Sequence, residues 1–345
     1  MPGVHLRSQT PESLATLWPD LPIDPPIARR LIGRVVGEGR SDLEGVRGVS
    51  HALAAELRRR AGTHGLSCID RRESPKDRFV KYLFRADDGA LVETVRIPLL
   101  APRFSVCVSS QAGCGLGCAF CETGRLGFGR NLEPWEIVDQ VLAVKREASL
   151  PVTGVVFQGQ GEPLQNYDAV IRAASILRDP SGLRIRGEAI TISTVGLLPA
   201  IERYTAEGHV FRLILSLTSA IDSKRTALIP LAKTYPVAAL ARAMSAHAAR
   251  HGGPVHLGWV LMAGINTGAD EAAAIAALFP NVSVRVHVID VNDPSGRFRP
   301  PDDAERGGFL DALRAHRLAF VRRYSGGADI HAACGMLAGI HGQSR

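Results

Sequence analysis

From about residue 104 onward, apolar strand candidates alternate with amphipathic helix candidates, and this alternation restricts the fold more than any other feature. Six strand candidates occur in order and a seventh follows: FSVCVSS (104–110), TGVVFQG (153–159), AITIST (189–194), FRLILSL (211–217), VHLGWVLM (255–262), VSVRVHVI (282–289) and LAFVRRY (318–324). Six or seven β–α units in succession predict a parallel sheet covered by helices. We therefore expect an α/β protein whose main domain contains a parallel sheet, either open or closed into a barrel.

Two smaller segments precede this repeat. Residues 1–75 contain the stretches PPIARRLIGRVV and SHALAAELRRRAG, which predict a small helical N-terminal domain. Its arginine triplet (Arg58, Arg59 and Arg60) is either a solvated helix end or an RNA contact. Residues 76–103 contain two alternating runs around an Asp-Asp-Gly turn, which predicts a β-hairpin extension. The barrel then occupies residues 104–345 and ends in a cysteine-containing loop.

Polar motifs follow the strand candidates at the points where the strands end. In barrels of parallel strands the chemistry takes place at the C-terminal ends of the strands. The residues found there are a cysteine loop after the first strand and then Gly161, Glu162, Ser193, Ser216, Thr218 and Asn292 after later strands. We therefore expect one site at this end of the barrel.

The cysteine loop carries Cys114, Cys118 and Cys121 with the spacing Cys-x3-Cys-x2-Cys. A structural zinc site needs four protein ligands, and no histidine occurs between His64 and His209 to supply the fourth. An iron–sulfur cluster held by only three thiolates instead keeps one iron open for another ligand. The spacing therefore favours a [4Fe–4S] cluster over structural zinc, and it indicates an enzyme.

Composition restricts the setting of this chemistry. The chain has 345 residues and a net charge of +7, which is compatible with a phosphate-rich partner. No apolar run approaches the ~20 residues that a membrane span needs. The start, MPGVHLRSQTPESL, lacks the apolar stretch of a secretory signal. Six cysteines, half of them in one loop, indicate metal binding in a reducing compartment, so we expect a cytoplasmic protein without membrane contact.

Longer motifs surround these positions along most of the chain: ETVRIP (93–98), CVSSQAGCGLGCAFCETGRLGFGRNL (107–132), GQGEPLQN (159–166), TISTVG (191–196), SLTSAIDSKRTALIPLAKTYP (216–236), GINTG (264–268) and DIHAACGMLAG (329–339). Together they resemble the RlmN/Cfr family of radical S-adenosylmethionine (SAM) RNA methyltransferases, which methylate an adenine. The strongest likenesses are Cys107, seven residues before the cluster motif, and the AACG sequence that contains Cys334. The resemblance implies a partial (β/α)6 radical SAM barrel with a [4Fe–4S] cluster and SAM as cofactors. It also implies that the helical N-terminal domain, residues 1–75, binds RNA.

The resemblance also implies roles for Cys334 and Cys107. In the family, the cysteine that matches Cys334 is first methylated, and a radical from a second SAM molecule abstracts hydrogen from that S-methyl group. The methylene radical adds to the base. The cysteine that matches Cys107 then attacks the Cys334 sulfur, frees the RNA and leaves a transient disulfide. Taken singly, each has a structural alternative, a buried strand cysteine or a small residue in a tight turn. Cys68 has no motif around it and is expected to be structural.

Further site residues follow from the same resemblance. Glu93 matches the family's proton acceptor, and its alternative is a surface charge on the hairpin. Glu162 would accept a hydrogen bond from the SAM amino group, and Gly161 would permit a close backbone approach. For the hydroxyl residues of the SAM pocket, strand-end capping is the alternative role. The remaining pocket positions are Ser193, Ser216, Leu217 through its backbone, Thr218 and Asn292.

Several residues depart from the family's usual ones, and they indicate a divergent member. Gln160 replaces a methionine, Thr218 an imidazole, His331 an acidic residue, and Asp290–Val291 a Pro-Trp pair. The expected reaction is methylation of carbon 2 of an adenosine in 23S rRNA, or also in tRNA. The alternatives are carbon-8 methylation of the antibiotic-resistance type, the same chemistry on another RNA, and an RNA-binding protein with a structural metal. We further expect a monomer that receives electrons from a donor such as a flavodoxin.

Overall fold

A mixed ten-stranded sheet forms the centre of the computed structural model, which describes residues 3–100 and 102–338. Gly339, the last residue of the DIHAACGMLAG motif, lies outside the described residues. The strands are β1 (Val4–His5), β2 (Ala61–Gly62), β3 (Ser67–Glu73), β4 (Val80–Arg85), β5 (Leu91–Pro98), β6 (Phe104–Val108), β7 (Gln111–Cys114), β8 (Gly127–Asn131), β9 (Val152–Phe157), β10 (Ile190–Thr194), β11 (Arg212–Ser216), β12 (Val255–Leu261), β13 (Val284–Asp290) and β14 (Ala319–Arg322).

Helices connect the strands and cover one face of the sheet. They are α1 (Pro11–Leu17), α2 (Pro25–Ile32), α3 (His51–Arg60), α4 (Glu122–Leu126), α5 (Pro134–Glu147), α6 (Tyr167–Arg178), α7 (Leu198–Glu207), α8 (Asp222–Leu228), α9 (Val237–His251), α10 (Ala269–Leu278) and α11 (Asp303–Ala315). None of the described helices combines the length and the apolar character that crossing a membrane requires.

The predicted α/β barrel is confirmed. The sheet order is β14-β13-β12-β11-β10-β9-β6-β5-β4-β3, and the seven strands from β14 to β6 are all parallel. Six crossovers, each containing a helix, join these seven strands, as a partial (β/α)6 barrel with one added strand requires. In the described residues β14 and β3 stand at opposite ends of the sheet, so the sheet remains open.

Alternation along the strands separates a covered face from an inner face. In β12, Val255, Leu257 and Trp259 are buried, and Trp259 stacks on Phe309 of α11 at a ring-centroid distance of 5.6 Å. Their neighbours in β12 (256, 258 and 260) are only partly buried and point to the other side. We call this second, concave side the inner face. It is the face that carries the functional residues.

The predicted hairpin is present and extends the sheet. Strands β4 and β5 pair antiparallel, and the amide of Ala86 donates to the carbonyl of Ala90 across the turn (2.9 Å). Residues 67–73 were included in the helical segment by sequence, but they form strand β3. Their sequence, SCIDRRE, is polar because β3 is an edge strand, and an edge strand obtains its structure from pairing with its neighbour. The division of the chain into three domains stays a prediction.

The arginine triplet Arg58, Arg59 and Arg60 lies at the end of α3 and is neutralised. Each side chain has a carboxylate partner, and the partners are Glu44 for Arg58, Glu56 for Arg59, and both Asp20 and Glu56 for Arg60. Such pairing favours the solvated helix end over an RNA contact.

A buried ion pair joins the N-terminal segment to the barrel. Arg7 Nη1 lies 2.7 Å from Asp139 Oδ1 on α5, and both side chains are at most 1% exposed. The second carboxylate oxygen of Asp139 accepts from the amide of Leu66 (2.7 Å). Arg7 also donates to the carbonyl of His64 (2.9 Å) and to Ser41 Oγ (3.1 Å). Because these partners surround the guanidinium, Arg7 fixes three separate N-terminal segments against one barrel helix.

We expect Arg7→Ala to lower the free energy of unfolding by about 3–5 kcal/mol, because the buried Asp139 carboxylate then keeps only the longer ion pair with the partly exposed Arg146 (3.3 Å). Equilibrium unfolding in urea measures the change. Arg314→Ala is the matched control, since Arg314 pairs with Asp311 in solvent and should contribute at most about 1 kcal/mol. Equal losses in the two variants would contradict a special role for Arg7.

Candidate active site

The three motif cysteines lie on a loop that projects from a small hairpin. Strands β7 and β8 pair antiparallel and enclose this loop. Gly113 begins it with φ +76°, and a Cβ there would lie 2.1 Å from the carbonyl oxygen of Gly127, so only glycine fits. The amide of Cys121 donates to the carbonyl of Cys118 (3.1 Å), and that of Ala119 donates to Leu228 (2.9 Å). The loop is therefore held by its own turn and by the segment after β11.

One cavity at the C-terminal ends of the parallel strands brings most of the predicted site residues together. Its lining includes ten of them: Cys114, Cys118, Cys121, Gly161, Glu162, Ser193, Ser216, Thr218, Asn292 and Cys334. Three predicted residues are outside this lining, namely Leu217, Cys107 and Glu93. Residues from opposite ends of the chain thus meet at the edge of the sheet that the strand pattern indicates.

The arrangement of the cysteines fits a cluster better than a single metal ion. Within the described part of the chain, no three His, Cys, Asp or Glu side chains are grouped closely enough to hold one ion. A [4Fe–4S] cluster offers each thiolate a separate iron, so sulfurs spread around a shared cavity are compatible with it. Burial raises the pKa of the Cys114 thiol to about 11 and that of Cys118 further. Metal binding must therefore displace protons from both thiols.

Arg225 places a buried positive charge beside this loop. Its side chain is fully buried, and Nε donates to the carbonyl of Leu217 (3.0 Å). Burial lowers the pKa of Arg225 to about 10, whereas the neighbouring thiol of Cys118 acts in the opposite direction. A guanidinium at this position stabilises negative charge on the cysteine loop. The sequence analysis did not single it out, although it lies inside the SLTSAIDSKRTALIPLAKTYP motif.

Glu162 lies on the wall of the cavity as a buried carboxyl group. Its oxygens accept from the amides of Leu164 (3.0 Å) and Val195 (2.9 Å). Burial outweighs these hydrogen bonds and raises the pKa of Glu162 to about 7. A carboxyl group with this pKa changes charge near neutrality, and a cationic ligand in the cavity would favour its ionised form.

The hydroxyl residues of the cavity offer hydrogen bonds to a polar ligand. Ser193 Oγ and Ser216 Oγ are 3.0 Å apart on neighbouring strands. Thr218 has φ +62°, an uncommon backbone conformation for a β-branched residue. Its buried Oγ1 has no hydrogen-bond partner within the described structure. A polar ligand would satisfy this atom. Leu217 differs from the others because its side chain packs in the core, while its amide donates to the carbonyl of Gly258 (3.0 Å).

The loop that contains Cys334 is fixed directly to the cysteine loop. The amide of Glu122 donates to the carbonyl of Gly335 (2.7 Å), and Thr123 Oγ1 donates to the carbonyl of Leu337 (2.6 Å). Gly335 adopts φ +85°, the left-handed conformation that the tight Ala-Ala-Cys-Gly turn needs. These contacts direct Cys334 into the cavity that the cluster cysteines line.

Ser325 positions two site residues at once. Its Oγ accepts from the amide of Cys334 (3.1 Å) and from Asn292 Nδ2 (3.0 Å). Because Asn292 follows β13 and Cys334 lies forty-two residues later by numbering, the hydroxyl connects the barrel to the C-terminal loop. One sequence signal could have indicated Ser325, namely its place in the Tyr-Ser-Gly-Gly stretch immediately after the last strand.

Cys107 lies behind the loop of Cys334. It is directly opposite Val95 on β5 and Val156 on β9, and it packs with Ala332 and Leu337 in a small apolar cluster. Burial raises the pKa of the Cys107 thiol strongly, and the neighbouring Cys334 raises it further. Burial also raises the pKa of Cys334. All six cysteines, Cys68 included, are free thiols, so the transient disulfide stays a prediction.

Glu93 is buried and ion-paired. The alternative prediction, a surface charge on the hairpin, is therefore wrong. Its side chain is 1% exposed, and Oε1 lies 2.9 Å from Lys81 Nζ. Residues 93 and 95 point to the same side of β5, so the carboxylate shares a face with Cys107. The hairpin register could have revealed Lys81, since it is directly opposite Val95 and therefore diagonal to Glu93.

Comparisons with known proteins agree with this geometry. Residues 108–275 match the model of the radical SAM superfamily. A probable RNA methyltransferase from Anaeromyxobacter sp. (strain Fw109-5) is 50% identical over 323 residues, which cover 90% of this chain and 92% of the relative. The dual-specificity RNA methyltransferase RlmN of Syntrophobacter fumaroxidans is 36% identical over 318 residues, with 91% and 92% covered. The chain belongs to the RlmN/Cfr family of radical SAM RNA methyltransferases.

A solved structure extends the likeness to the whole fold. The crystal structure of a radical SAM methyltransferase from Sphaerobacter thermophilus is similar with a TM-score of 0.90 and 33% sequence identity. The alignment covers 98% of this chain and 100% of the other. As an RlmN/Cfr family member the chain is a SAM-dependent RNA methyltransferase, and radical SAM enzymes use a [4Fe–4S] cluster. The roles of single residues here remain predictions.

The departures from the family's usual residues are concentrated around the cavity. Gln160 and Thr218 each bury a polar atom that has no hydrogen-bond partner in the described residues, Nε2 and Oγ1 respectively. Asp290 pairs with Arg306 (3.2 Å), and Val291 is buried. His331 is exposed and has φ +54°. Two of these departures therefore leave buried polar atoms without partners in the described residues, one of them on the cavity wall.

Proposed function

We propose that this enzyme methylates carbon 2 of an adenosine in 23S rRNA, and also in tRNA, through a methylated Cys334. One observation carries the proposal. Cys334 opens into the same cavity as the three cluster cysteines and Glu162, and Cys107 packs behind the loop of Cys334. A methyltransferase that uses only one SAM-binding site and no sulfur carrier has no need of this pair. An RNA-binding protein with a structural metal has no need of it either.

The cavity residues hold the cofactors in this proposal. Cys114, Cys118 and Cys121 bind the cluster, and Glu162 accepts from the SAM amino group. The bound cluster would receive an electron from a donor such as a flavodoxin. It would pass this electron to SAM, and the cleavage of SAM that follows would supply the radical. The remaining contacts to SAM come from the hydroxyls and backbone of the strand ends: Gly161, Ser193, Ser216, Leu217, Thr218 and Asn292. The unsatisfied Thr218 Oγ1 supports this assignment.

The two remote cysteines carry the methyl group and release the product. Cys334 would accept a methyl group on sulfur from one SAM molecule and lose one hydrogen atom of that group to the radical from a second SAM molecule. The resulting methylene carbon would then bond to a ring carbon of the adenine. Loss of a proton to Glu93 and return of the electron to the oxidised cluster would restore the aromatic ring. Cys107 then attacks the Cys334 sulfur, so the carbon–sulfur bond breaks and the carbon is protonated to a methyl group. The two cysteines end as a disulfide, which a cellular thiol must reduce before the next cycle.

Glu93 is the base in this scheme. Its carboxylate shares a sheet face with Cys107 and is held by Lys81, so it is fixed in position before substrate arrives. Hydrogen bonds from Ser109 Oγ to the Glu93 carbonyl (2.6 Å) and from the Glu93 amide to Gln160 Oε1 (3.3 Å) fix its backbone. Gln160 also adjoins Gly161 in the SAM-binding loop. Base and cofactor are thereby positioned by one loop.

A cleft between the N-terminal segment and the loop after α6 supports RNA as substrate. Five arginines line it, namely Arg29, Arg30, Arg34, Arg47 and Arg184. Only Arg34 among them has carboxylate partners within the described residues, Glu38 and Asp42. Unpaired arginines in a cleft suit phosphate groups. We propose that RNA binds in this cleft and not at the arginine triplet of α3. We also propose that the enzyme works as a monomer.

The first prediction separates the two remote cysteines. In Cys107→Ala the methylene carbon should still bond to the adenine, but release should fail, so a covalent protein–RNA adduct should accumulate. Denaturing gel electrophoresis with SAM and a protein-free 23S rRNA fragment measures the adduct. Cys68→Ala is the control, because its exposed thiol lies outside the cavity and turnover should equal that of the wild type. Free methylated RNA from Cys107→Ala at the wild-type rate would contradict the assignment.

The second prediction uses the pKa of Glu162. The carboxyl group is charged above pH 7 and neutral below it, and only the charged form attracts the SAM ammonium. The dissociation constant for SAM should therefore rise about tenfold per pH unit as the pH falls below 7. Calorimetric titration between pH 5.5 and 7.5 checks this. Glu162→Gln should bind SAM weakly and with little pH dependence over that range. The same flat profile in the wild type would exclude Glu162 as the partner.

The third prediction concerns the product. Incubation with SAM that carries a deuterated methyl group, followed by RNA digestion, should place the label in 2-methyladenosine. Protein-free 23S rRNA fragments should be better substrates than mature ribosomes, because base chemistry requires the adenine outside its stack. Mass spectrometry of the nucleosides identifies the carbon. Label in 8-methyladenosine would show that the enzyme methylates carbon 8 and not carbon 2. Absence of label from all rRNA nucleosides would indicate another RNA as substrate.

A further inference from the structure

A cluster of basic side chains occupies the inner face of the strands whose C-terminal ends line the SAM cavity. Ser216 lines the cavity, so its side chain is on the inner face. Arg212 lies four residues before Ser216 on β11 and therefore points to the same face. Gly258 pairs with Ser216, so His256, two residues before Gly258 on β12, and its partner Arg285 on β13 point there as well. Two further members come from β13 and the end of β14, His287 and Arg323. We call these five residues the inner basic cluster. None of them belongs to the motifs that the proposed function uses.

Hydrogen bonds order the cluster. Arg323 donates to His287 Nδ1 (3.0 Å from Nη2 and 3.2 Å from Nε), so the proton of this imidazole is on Nε2. His287 Nε2 lies 2.9 Å from His256 Nδ1, which leaves the proton of His256 on its own Nε2. That N–H makes no hydrogen bond to another described residue. The chain of donors therefore ends in an N–H available to a ligand.

The cluster has no counter-charge. In the described structure no carboxylate forms an ion pair with Arg212, Arg285 or Arg323, and the nearby Asp290 is paired with Arg306 and Arg322. Burial and the surrounding arginines lower the pKa of His256 to about 4 and of His287 to about 3. Like charges on adjacent strands destabilise a sheet. Three arginines gathered without an acid therefore indicate an anionic ligand that is absent from the free chain.

The cluster is accessible and close to the reaction. Arg285 and Arg323 are exposed, whereas Arg212 and His256 are half-buried. Four residues of β11 separate Arg212 from Ser216 at the cavity, which is about 13 Å along a strand. Ile289, two residues after His287, also lines the cavity. The cluster and the cavity therefore share the inner face, with Arg212 and Arg285 near the strand starts and the cavity at the strand ends.

We propose that Arg212, Arg285 and Arg323, with the Nε2–H of His256, bind backbone phosphates of the RNA substrate beside the target nucleotide. Guanidinium groups and imidazole N–H groups are the donors that phosphate oxygens accept. The proposal rests on the proposed function, since it takes RNA as the substrate. It adds a second contact region, separate from the arginine cleft of the N-terminal segment, that holds the strand on the inner face.

The salt dependence of RNA binding tests the proposal. Anaerobically reconstituted enzyme is titrated into a labelled, protein-free 23S rRNA fragment at several salt concentrations between about 50 and 200 mM. Arg212→Gln with Arg285→Gln should reduce the slope of log K against log salt by about 0.7–0.9 for each lost phosphate contact. The matched control is Arg242→Gln with Arg314→Gln, two exposed arginines of the helices on the covered face, which removes the same charge. The control should keep the wild-type slope.

A charge-retaining variant separates binding from folding. Arg212→Lys with Arg285→Lys should recover most of the lost slope, because lysine also contacts phosphate. Equal slopes in the glutamine pair and the control pair would overturn the proposal. A second result would also overturn it: inorganic phosphate shifts the imidazole NMR signals of His256 and His287, while the glutamine pair binds RNA as tightly as the wild type. The ligand of the cluster would then be free phosphate. Binding is measured without turnover, so failure of the labelled-methyl experiment would leave this result intact, and the reverse also holds.

Discussion

The position of strand β6 between two kinds of neighbour is the constraint on which the site depends. It pairs antiparallel with β5 of the hairpin and parallel with β9 of the barrel. The hairpin thereby becomes part of the barrel sheet, and Glu93 and Cys107 come to share one face. The cysteine loop leaves the end of the same strand. A register shift of one residue in β6 would turn Cys107 toward the helices and remove it from the loop of Cys334.

Much of the fold could be predicted because its signals are local. Each parallel strand is an apolar run followed by a helix, and the Asp-Asp-Gly turn fixes the hairpin. Strand β3 could not be predicted, because its residues are polar and its structure depends on pairing with β4. The same limitation applies to Arg7 and Asp139, whose contact joins residues 132 positions apart in the chain. Long-range partners of this kind leave no periodic pattern in either segment.

In the candidate site, too, residues with local sequence signals could be predicted and residues that depend on long-range contacts could not. The spacing of the cluster cysteines and the polar strand ends indicate where the cavity lies, and the structure gathers ten of the thirteen predicted residues there. Lys81, Ser325 and Arg225 were missed because their roles come from tertiary contacts, even though Arg225 lies inside a motif. The departures at Gln160 and Thr218 were visible in the sequence. Their physical effect, two buried polar atoms without partners, required the structure.

The apolar surroundings of Cys107 have a consequence for the lifetime of the enzyme. A thiol enclosed by Val95, Val156 and Leu337, with its pKa raised, offers almost no thiolate to peroxides or other oxidants in the resting state. In the proposed mechanism its sulfur attacks only after the neighbouring Cys334 bears a carbon substituent. The attacking group would thus be stored in an inert form between cycles. Reducing equivalents would be consumed when a methyl group has been delivered and not while the enzyme waits.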